Sequence, residues 1–498
     1  MKEKGKDIYI KYLIIAFILT INNFTNVPLN NVYVSINDSE VKEKILVTFN
    51  AEISNDNDKL ENILKSRGFL DYKLISTGKK DVYYIQINDY ESSKKVLDQM
   101  EIIEYYEKDF KITFADSDNT NTRSIGTDWK NIISLNSAWN YSTGSSSVLV
   151  GIIDSGINAQ HPDLVGKVST TLSKTFIDDD ANGPLVDTWG HGTAVGGMIG
   201  AIPNNNLGID GVCQNVTLVS LKVCISGVDI PASKVVEAIG YAKKMEIPIL
   251  NFSGSWIRND SSFSNEYDTL KEAIKSYNGL LICSSGNSNK NMNLDNSYYM
   301  SYPTGYNLDN VISVGGSTVV DTRWDASTNS GSNYSSTHVD LFAPGVDIEV
   351  LQSRYQDFGS YTKVTNGTSF SAPMVAGVAA LLKSYKPSLT TADIKNCIIY
   401  SVDKLSALSN VCKTGGRLNA YKALSLAYHT HSYTYTNLNA IYHKRSCTGC
   451  HYYSQEEHVW TSTPALSINE TEPNYIPGGY RCNICGAVRN DILRGEKL

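Results

Sequence analysis

Apolar residues in this chain fall into short runs separated by polar turns, and the rhythm of the runs changes along its length. Near the start, Lys44–Phe49 and Asp81–Ile87 read as strands, and Asp58–Lys65 and Ser92–Met100 as amphipathic helices, so residues 40–112 predict a small α+β unit. The polar stretch 113–127 then reads as a linker. From residue 128 the runs become continuous: Val148–Asp154, Thr217–Val223, Ile247–Asn251, Gly279–Cys283 and Asn310–Val314, with a helix predicted over Lys234–Lys244. Strands apolar throughout are buried on both faces, which predicts an α/β domain over 128–425, a parallel sheet with helices on both sides. Met374–Leu382 carries no charge and predicts a central, fully buried helix.

Three polar side chains interrupt this pattern where chemistry is expected. Asp154 closes a buried strand before a Ser-Gly turn, at the carboxyl edge where α/β sheets place their sites. His191, in Gly190-His191-Gly192-Thr193, opens a helix of small residues. Ser369, in Asn366-Gly367-Thr368-Ser369, stands at the turn into the buried helix, where the first amides lack internal partners. A hydroxyl is a poor nucleophile unless a base and an orienting carboxylate serve it. Taken singly, Asp154 is explained as a strand-end turn former, His191 as a satisfied core histidine and Ser369 as a helix cap. The combination points to acyl transfer.

With the order Asp, His, Ser, these segments resemble the subtilisin-like serine proteases of the subtilase family over roughly residues 128–425. Ile152-Ile153-Asp154-Ser155-Gly156, His191-Gly192-Thr193 and Gly367-Thr368-Ser369 carry the resemblance, supported by His161-Pro162-Asp163-Leu164, Ser284-Ser285-Gly286-Asn287 and Ala343-Pro344-Gly345-Val346. It implies Ser369 as nucleophile, His191 as base and acid, Asp154 as orienter and Asn287 as side-chain donor to the oxyanion. It also implies that the α+β unit is a prodomain, a partner in folding that the enzyme removes by cutting in the polar stretch from Ala115. Ser253, Gly254 and Ser255, opposite Ser284, Ser285 and Gly286, take the substrate-binding positions. Here the chain departs from the family, with Gly254 in place of an apolar residue and Ser255 in place of a glycine, so the walls read as polar and uncharged. Catalysis needs no cofactor. A structural calcium ion is implied at Asp163, Asn204 and Ile209, oxygen donors around a glycine-containing loop.

Composition narrows the partners. A net charge of −7 with no long basic run argues against nucleic acid as a partner; polypeptide substrates are what the resemblance implies. A charged start leads into the apolar Tyr12–Ile21, a signal segment over 1–25 that touches the membrane only transiently, so the chain is expected to be secreted or cell-surface associated. Five of the 8 histidines and four of the 9 cysteines fall in residues 429–498. The paired knuckles Cys447-Thr448-Gly449-Cys450 and Cys482-Asn483-Ile484-Cys485 resemble a zinc ribbon; disulfides or unpaired thiols are the alternatives. Such a module would dock on a protein or the cell envelope. The functional alternatives are a catalytically silent binding protein on a protease scaffold and a processing protease dedicated to one secreted peptide.

Overall fold

In the computed structural model the described residues are 43–50, 56–76, 81–114, 128–227, 230–257, 268–293, 300–354, 356, 359–428, 433–438, 442–448, 453–457, 460–463, 479–482 and 488–489. The expected signal segment and the polar stretch 115–127 lie outside them. From Glu43 onward the chain forms one compact unit.

The N-terminal α+β region is an antiparallel sheet in the order Tyr72–Ser76, Val82–Ile87, Glu43–Phe49, Ile103–Lys108, with helices Asn57–Ser66 and Tyr90–Leu97. The second helix starts two residues earlier than the pattern predicts, because the Asp89 carboxylate accepts the Ser92 N–H at 2.7 Å and caps it. Alternation along Glu43–Phe49 divides its side chains. Ile45, Val47 and Phe49 pack with Leu60, Leu64 and Leu97, while Leu46 joins Ile75 and Val82 against Val235, Val236 and Ile239 of the larger domain.

Two carboxylates fasten this region to helix starts. Glu107 accepts the Thr269 N–H at 3.0 Å, and Asp109 accepts the Ser233 N–H at 2.9 Å and the Ser233 hydroxyl at 2.6 Å. These lie at the N-termini of helices Thr269–Ser276 and Ala232–Lys244, where unpaired amides and the helix dipole favour an anion. Beyond Asp109 the chain does not enter a linker at 113. Lys111–Phe114 is a strand between two elements of the larger domain, pairing antiparallel with Ile230–Pro231 on one side and Gly254–Ile257 on the other. Pairing along both of its edges explains why it runs two residues past the expected boundary.

The larger domain is built on nine described strands in the order Asp403–Lys404, Gly416–Arg417, Leu341–Pro344, Val311–Ser317, Leu280–Ser284, Ile249–Phe252, Gly144–Asp154, Asn215–Lys222, Lys174–Thr175. All neighbours are parallel except the first pair. Its strands feed two cores alternately. Val150, Ile152, Leu218 and Ile282 pack under helices His191–Gly200 and Thr368–Tyr385, while Ile153, Val219, Leu281 and Cys283 pack under Ala232–Lys244 and Thr269–Ser276. This is the expected α/β architecture. Thr368 through Leu382 are all buried, as their uncharged sequence requires.

At the C-terminal end stand two three-stranded antiparallel sheets: Tyr433–Asn437, Tyr442–Cys447, Tyr453–Glu457, and Trp460–Thr463, Gly479–Cys482, Val488–Arg489. Cys447 and Cys482 each end the central strand of one sheet. Cys450 and Cys485 lie outside the described residues. Among the described residues no helix is long and apolar enough to cross a membrane.

Candidate active site

Asp154 ends the strand Gly144–Asp154 in mid-sheet, and His191 is the first residue of its helix; both are buried. The His191 Nδ1 lies 2.9 Å from each carboxylate oxygen of Asp154. Asp154 Oδ1 also accepts the Ser155 N–H at 2.7 Å, which fixes the carboxylate plane. The approach needs Gly192: a Cβ there would stand 2.1 Å from the Gly156 carbonyl and 3.2 Å from Asp154 Oδ1. Any side chain at 192 would drive the histidine helix away from the aspartate.

Ser369 lies in the first turn of the buried helix Thr368–Tyr385 and is locked to Ser253 in both directions. The Ser369 hydroxyl donates to the Ser253 carbonyl at 3.0 Å, and the Ser253 hydroxyl donates to the Ser369 carbonyl at 2.9 Å. Asn251 Nδ2 donates to the Ser253 hydroxyl at 2.9 Å, completing the lock. The ring of Phe370, the next residue, is centred 5.8 Å from the His191 imidazole, which sets the serine turn beside the base.

Asn287 is aimed by Thr368. Its Oδ1 accepts the Thr368 N–H at 2.9 Å and the Thr368 hydroxyl at 2.6 Å, and Thr368 Oγ1 in turn accepts the Gly286 N–H at 3.2 Å. With the oxygen held from behind, the Nδ2 amide is turned the other way, toward Gly367. A donor fixed before the reaction needs no reorganisation when an oxyanion develops.

The six substrate-binding candidates gather around this turn. Ser255 pairs across from Thr113 and Gly254 from Phe114. Ser284 and Ser285 are buried at the end of the next strand; the Ser285 hydroxyl donates to the Asn333 carbonyl at 3.0 Å and its carbonyl accepts from Asn333 Nδ2 at 2.9 Å. A Cβ on Gly286 would stand 3.2 Å from both the Ser255 and Ser301 hydroxyls, so these small polar groups form one wall.

Three supporting residues were not legible in the sequence. Asp187, buried just ahead of the histidine helix, accepts from the Ser155 hydroxyl at 2.9 Å, the Gly190 N–H at 2.7 Å, and the Thr193 N–H at 2.8 Å and hydroxyl at 2.7 Å. Burial pushes its pKa up and these hydrogen bonds oppose the rise. Lys222, opposite Asp154 in the parallel register, turns its ammonium into the loop that precedes Asp187. Trp189 stacks on His191, ring centroids 4.7 Å apart and planes 14° apart.

Of the residues expected to hold calcium, Asp163 and Ile209 meet, with Asn205 in place of Asn204 beside them. Asp163 accepts from Asn205 Nδ2 at 2.7 Å and from the Ile209 N–H at 2.9 Å, while Asn205 Oδ1 is turned to the Leu207 N–H at 2.9 Å. The Asn204 N–H donates to Asp210, which Lys130 pairs at 2.7 Å. A hard cation needs converging oxygens; Asp163 stands beside the Asn205 amide, whose oxygen and nitrogen exchange places on a half-turn of the group, while Asp210 is paired with Lys130. Among the described residues no three His, Cys, Asp or Glu side chains converge on a metal position. Buried Cys213 and Cys283 are inert by the same environment, burial pushing each thiol up to about 12.

A buried Asp–His pair beside a helix-start serine, an aimed amide and a strand-lined cleft define a serine hydrolase site. The model of the subtilase family matches residues 145–421, more than half of the chain. The chain belongs to the subtilase family. It is 29% identical to the thermophilic serine proteinase of Bacillus sp. (strain AK1), over 68% of this chain and 77% of that one. It is 30% identical to subtilisin-like protease 1 of Plasmodium berghei over 55% of this chain, and spans about half, 49%, of that relative's length. The solved structure of the epidermin leader peptide processing serine protease from Staphylococcus aureus shares the fold, with a TM-score of 0.58 at 19% identity over 78% of this chain and all of that one.

Proposed function

We propose that this protein is a serine endopeptidase that matures by cutting its own chain after Ala115. The observation that carries this is the inserted strand. Lys111–Phe114 lies antiparallel in the cleft, with Thr113 opposite Ser255 and Phe114 opposite Gly254. That register ends one position short of Ser253, whose carbonyl accepts the Ser369 hydroxyl. Strand addition is how an extended peptide gains main-chain hydrogen bonds in a groove, so the N-terminal region offers its own tail as first substrate. In the reaction His191 takes the Ser369 proton as Oγ attacks the carbonyl carbon. Asp154 holds Nδ1 and stabilises the imidazolium, Asn287 Nδ2 and the Ser369 N–H receive the oxyanion, and His191 returns the proton to the leaving amine.

The polar wall of Ser255, Ser301 and Gly286 suits a small or uncharged residue before the cut bond, in keeping with Ala115. Export through the N-terminal segment, and a zinc ion held by Cys447, Cys450, Cys482 and Cys485, complete the reading. The zinc proposal is supported by the two matched sheets, whose central strands each end at the first cysteine of a knuckle.

Expressing the full chain and its Ser369→Ala form without other proteases tests the function. The wild type should yield a mature N-terminus at Asp116, and Ser369→Ala should keep residues 43–115. The same N-terminus from both forms would overturn self-cutting, and a wild-type terminus elsewhere would overturn the register.

A further inference from the structure

Trp189 is held in a slot. One indole face lies against the His191 imidazole, with ring centroids 4.7 Å apart and planes 14° apart. Gly227 closes the slot: its φ is +75°, and a Cβ on it would stand 2.2 Å from Trp189 Cη2 and 2.4 Å from Cζ3. A glycine in a conformation that other residues avoid, where even a methyl would strike the indole, fits a backbone shaped around the ring. On another side of the imidazole, the Phe370 ring is centred 5.8 Å away at 48°. The His191 side chain is 0% exposed, so the charge it gains in the reaction has little water to stabilise it.

We infer that Trp189 is a positioning residue for the base, stabilising through its π face the imidazolium that forms as Ser369 attacks. The inference rests on the proposed serine endopeptidase reading. A cation over an indole face within about 6 Å is attracted by the ring quadrupole, more strongly where water is excluded. The attraction acts on the charged imidazolium and hardly on the neutral ring, so it lowers the barrier instead of tightening the resting state. The described charged and titratable groups around the start of the His191 helix have partners or surroundings of their own. Asp154 holds Nδ1; Asp187 takes four donors around the helix start. Burial pushes the Cys224 thiol well up, keeping it neutral, and Lys222 is turned to Asp180.

The test compares Trp189→Leu, which keeps an apolar cover but loses the π face, with Trp189→Phe, which keeps both. The mature enzyme's kcat, KM and pH profile are followed on several peptide substrates, alongside labelling of Ser369 by a serine-directed phosphonate. Trp189→Leu should lower kcat on the order of tenfold on every substrate. It should also move the acid limb of kcat/KM to lower pH, because the protonated imidazole has lost its partner. Trp189→Phe should stay within about threefold of wild type, with its limb close to the wild-type position. Equal behaviour of Leu and Phe, an unmoved acid limb, or a substrate-dependent change confined to KM would each overturn the inference and leave Trp189 as a cleft wall. Absence of Ser369 labelling in the wild type would instead overturn the endopeptidase reading itself.

Discussion

Replacing Lys222 by Met should cost this protein much of its kinetic stability, although Lys222 touches no substrate. The side chains of Lys222 and Asp180 are each 1% exposed, with Nζ 3.1 Å from Asp180 Oδ2. The same ammonium donates to the Gly183 and Val186 carbonyls, each at 3.1 Å, so three partners lie in the loop that leads to Asp187 and His191. Met fills similar space but leaves a buried carboxylate without its cation and two carbonyls without a donor. Breaking a buried pair from one side costs about 3–5 kcal/mol; the carbonyls share that loss and are not added to it. If most of it appears in the unfolding rate, inactivation quickens by on the order of a hundred- to a thousandfold. Unfolded proteases are consumed irreversibly, so the assay is the first-order rate of thermal inactivation at one temperature. Adding Asp180→Leu to Lys222→Met removes the orphaned charge and should recover most of the loss. A half-life of Lys222→Met within threefold of wild type, or a double variant no better than the single one, would refute the reasoning.

Gly192→Ala should lower kcat/KM by on the order of a hundredfold or more, because a Cβ placed 2.1 Å from the Gly156 carbonyl displaces the histidine helix; active-site titration beside kinetics checks it. Thr368→Val should lower kcat by about tenfold with KM nearly unchanged, since Asn287 keeps the backbone N–H but loses the hydroxyl donor that helps aim it. Acid should act through Asp180 and Asp403. Burial raises both, but hydrogen bonds from Lys222 and Thr175 in one case and from Lys422 and Asn419 in the other outweigh it, holding each below its ordinary value of 3.8. Their stabilisation is complete above that value and is lost as pH falls through the folded-state value, so inactivation should accelerate at acid pH, with a shallower pH slope in Lys222→Met. Residues 429–498 alone should bind one zinc ion per chain by metal analysis, and Cys482→Ser should abolish that binding.

The continuous apolar strands were legible because strands buried on both faces need no alternation, and Asp154, His191 and Ser369 because each breaks such a pattern at an element end. Other parts carried weaker signals. Tyr72–Ser76 and Ile103–Lys108 mix charges with apolar residues and exist as strands through their pairing. Lys111–Phe114 is held by segments more than a hundred residues away, and no local pattern could place it in the cleft. Lys222 falls inside the expected strand Thr217–Val223, and its ammonium finds its partners only when the loop of Asp180 folds over it. The slot around Trp189 exists only when residue 227 meets residue 189. Asp163 and its loop carry the composition of a calcium site, whereas the placing of Asn205 and not Asn204 beside Asp163 is a tertiary fact.

Peptide mapping of the mature enzyme after reaction with a serine-directed phosphonate tests the central claim most directly. The account predicts a single adduct on Ser369, formed in parallel with loss of peptide hydrolysis and nearly abolished in His191→Ala. An adduct on another serine, or undiminished hydrolysis by purified Ser369→Ala, would contradict it.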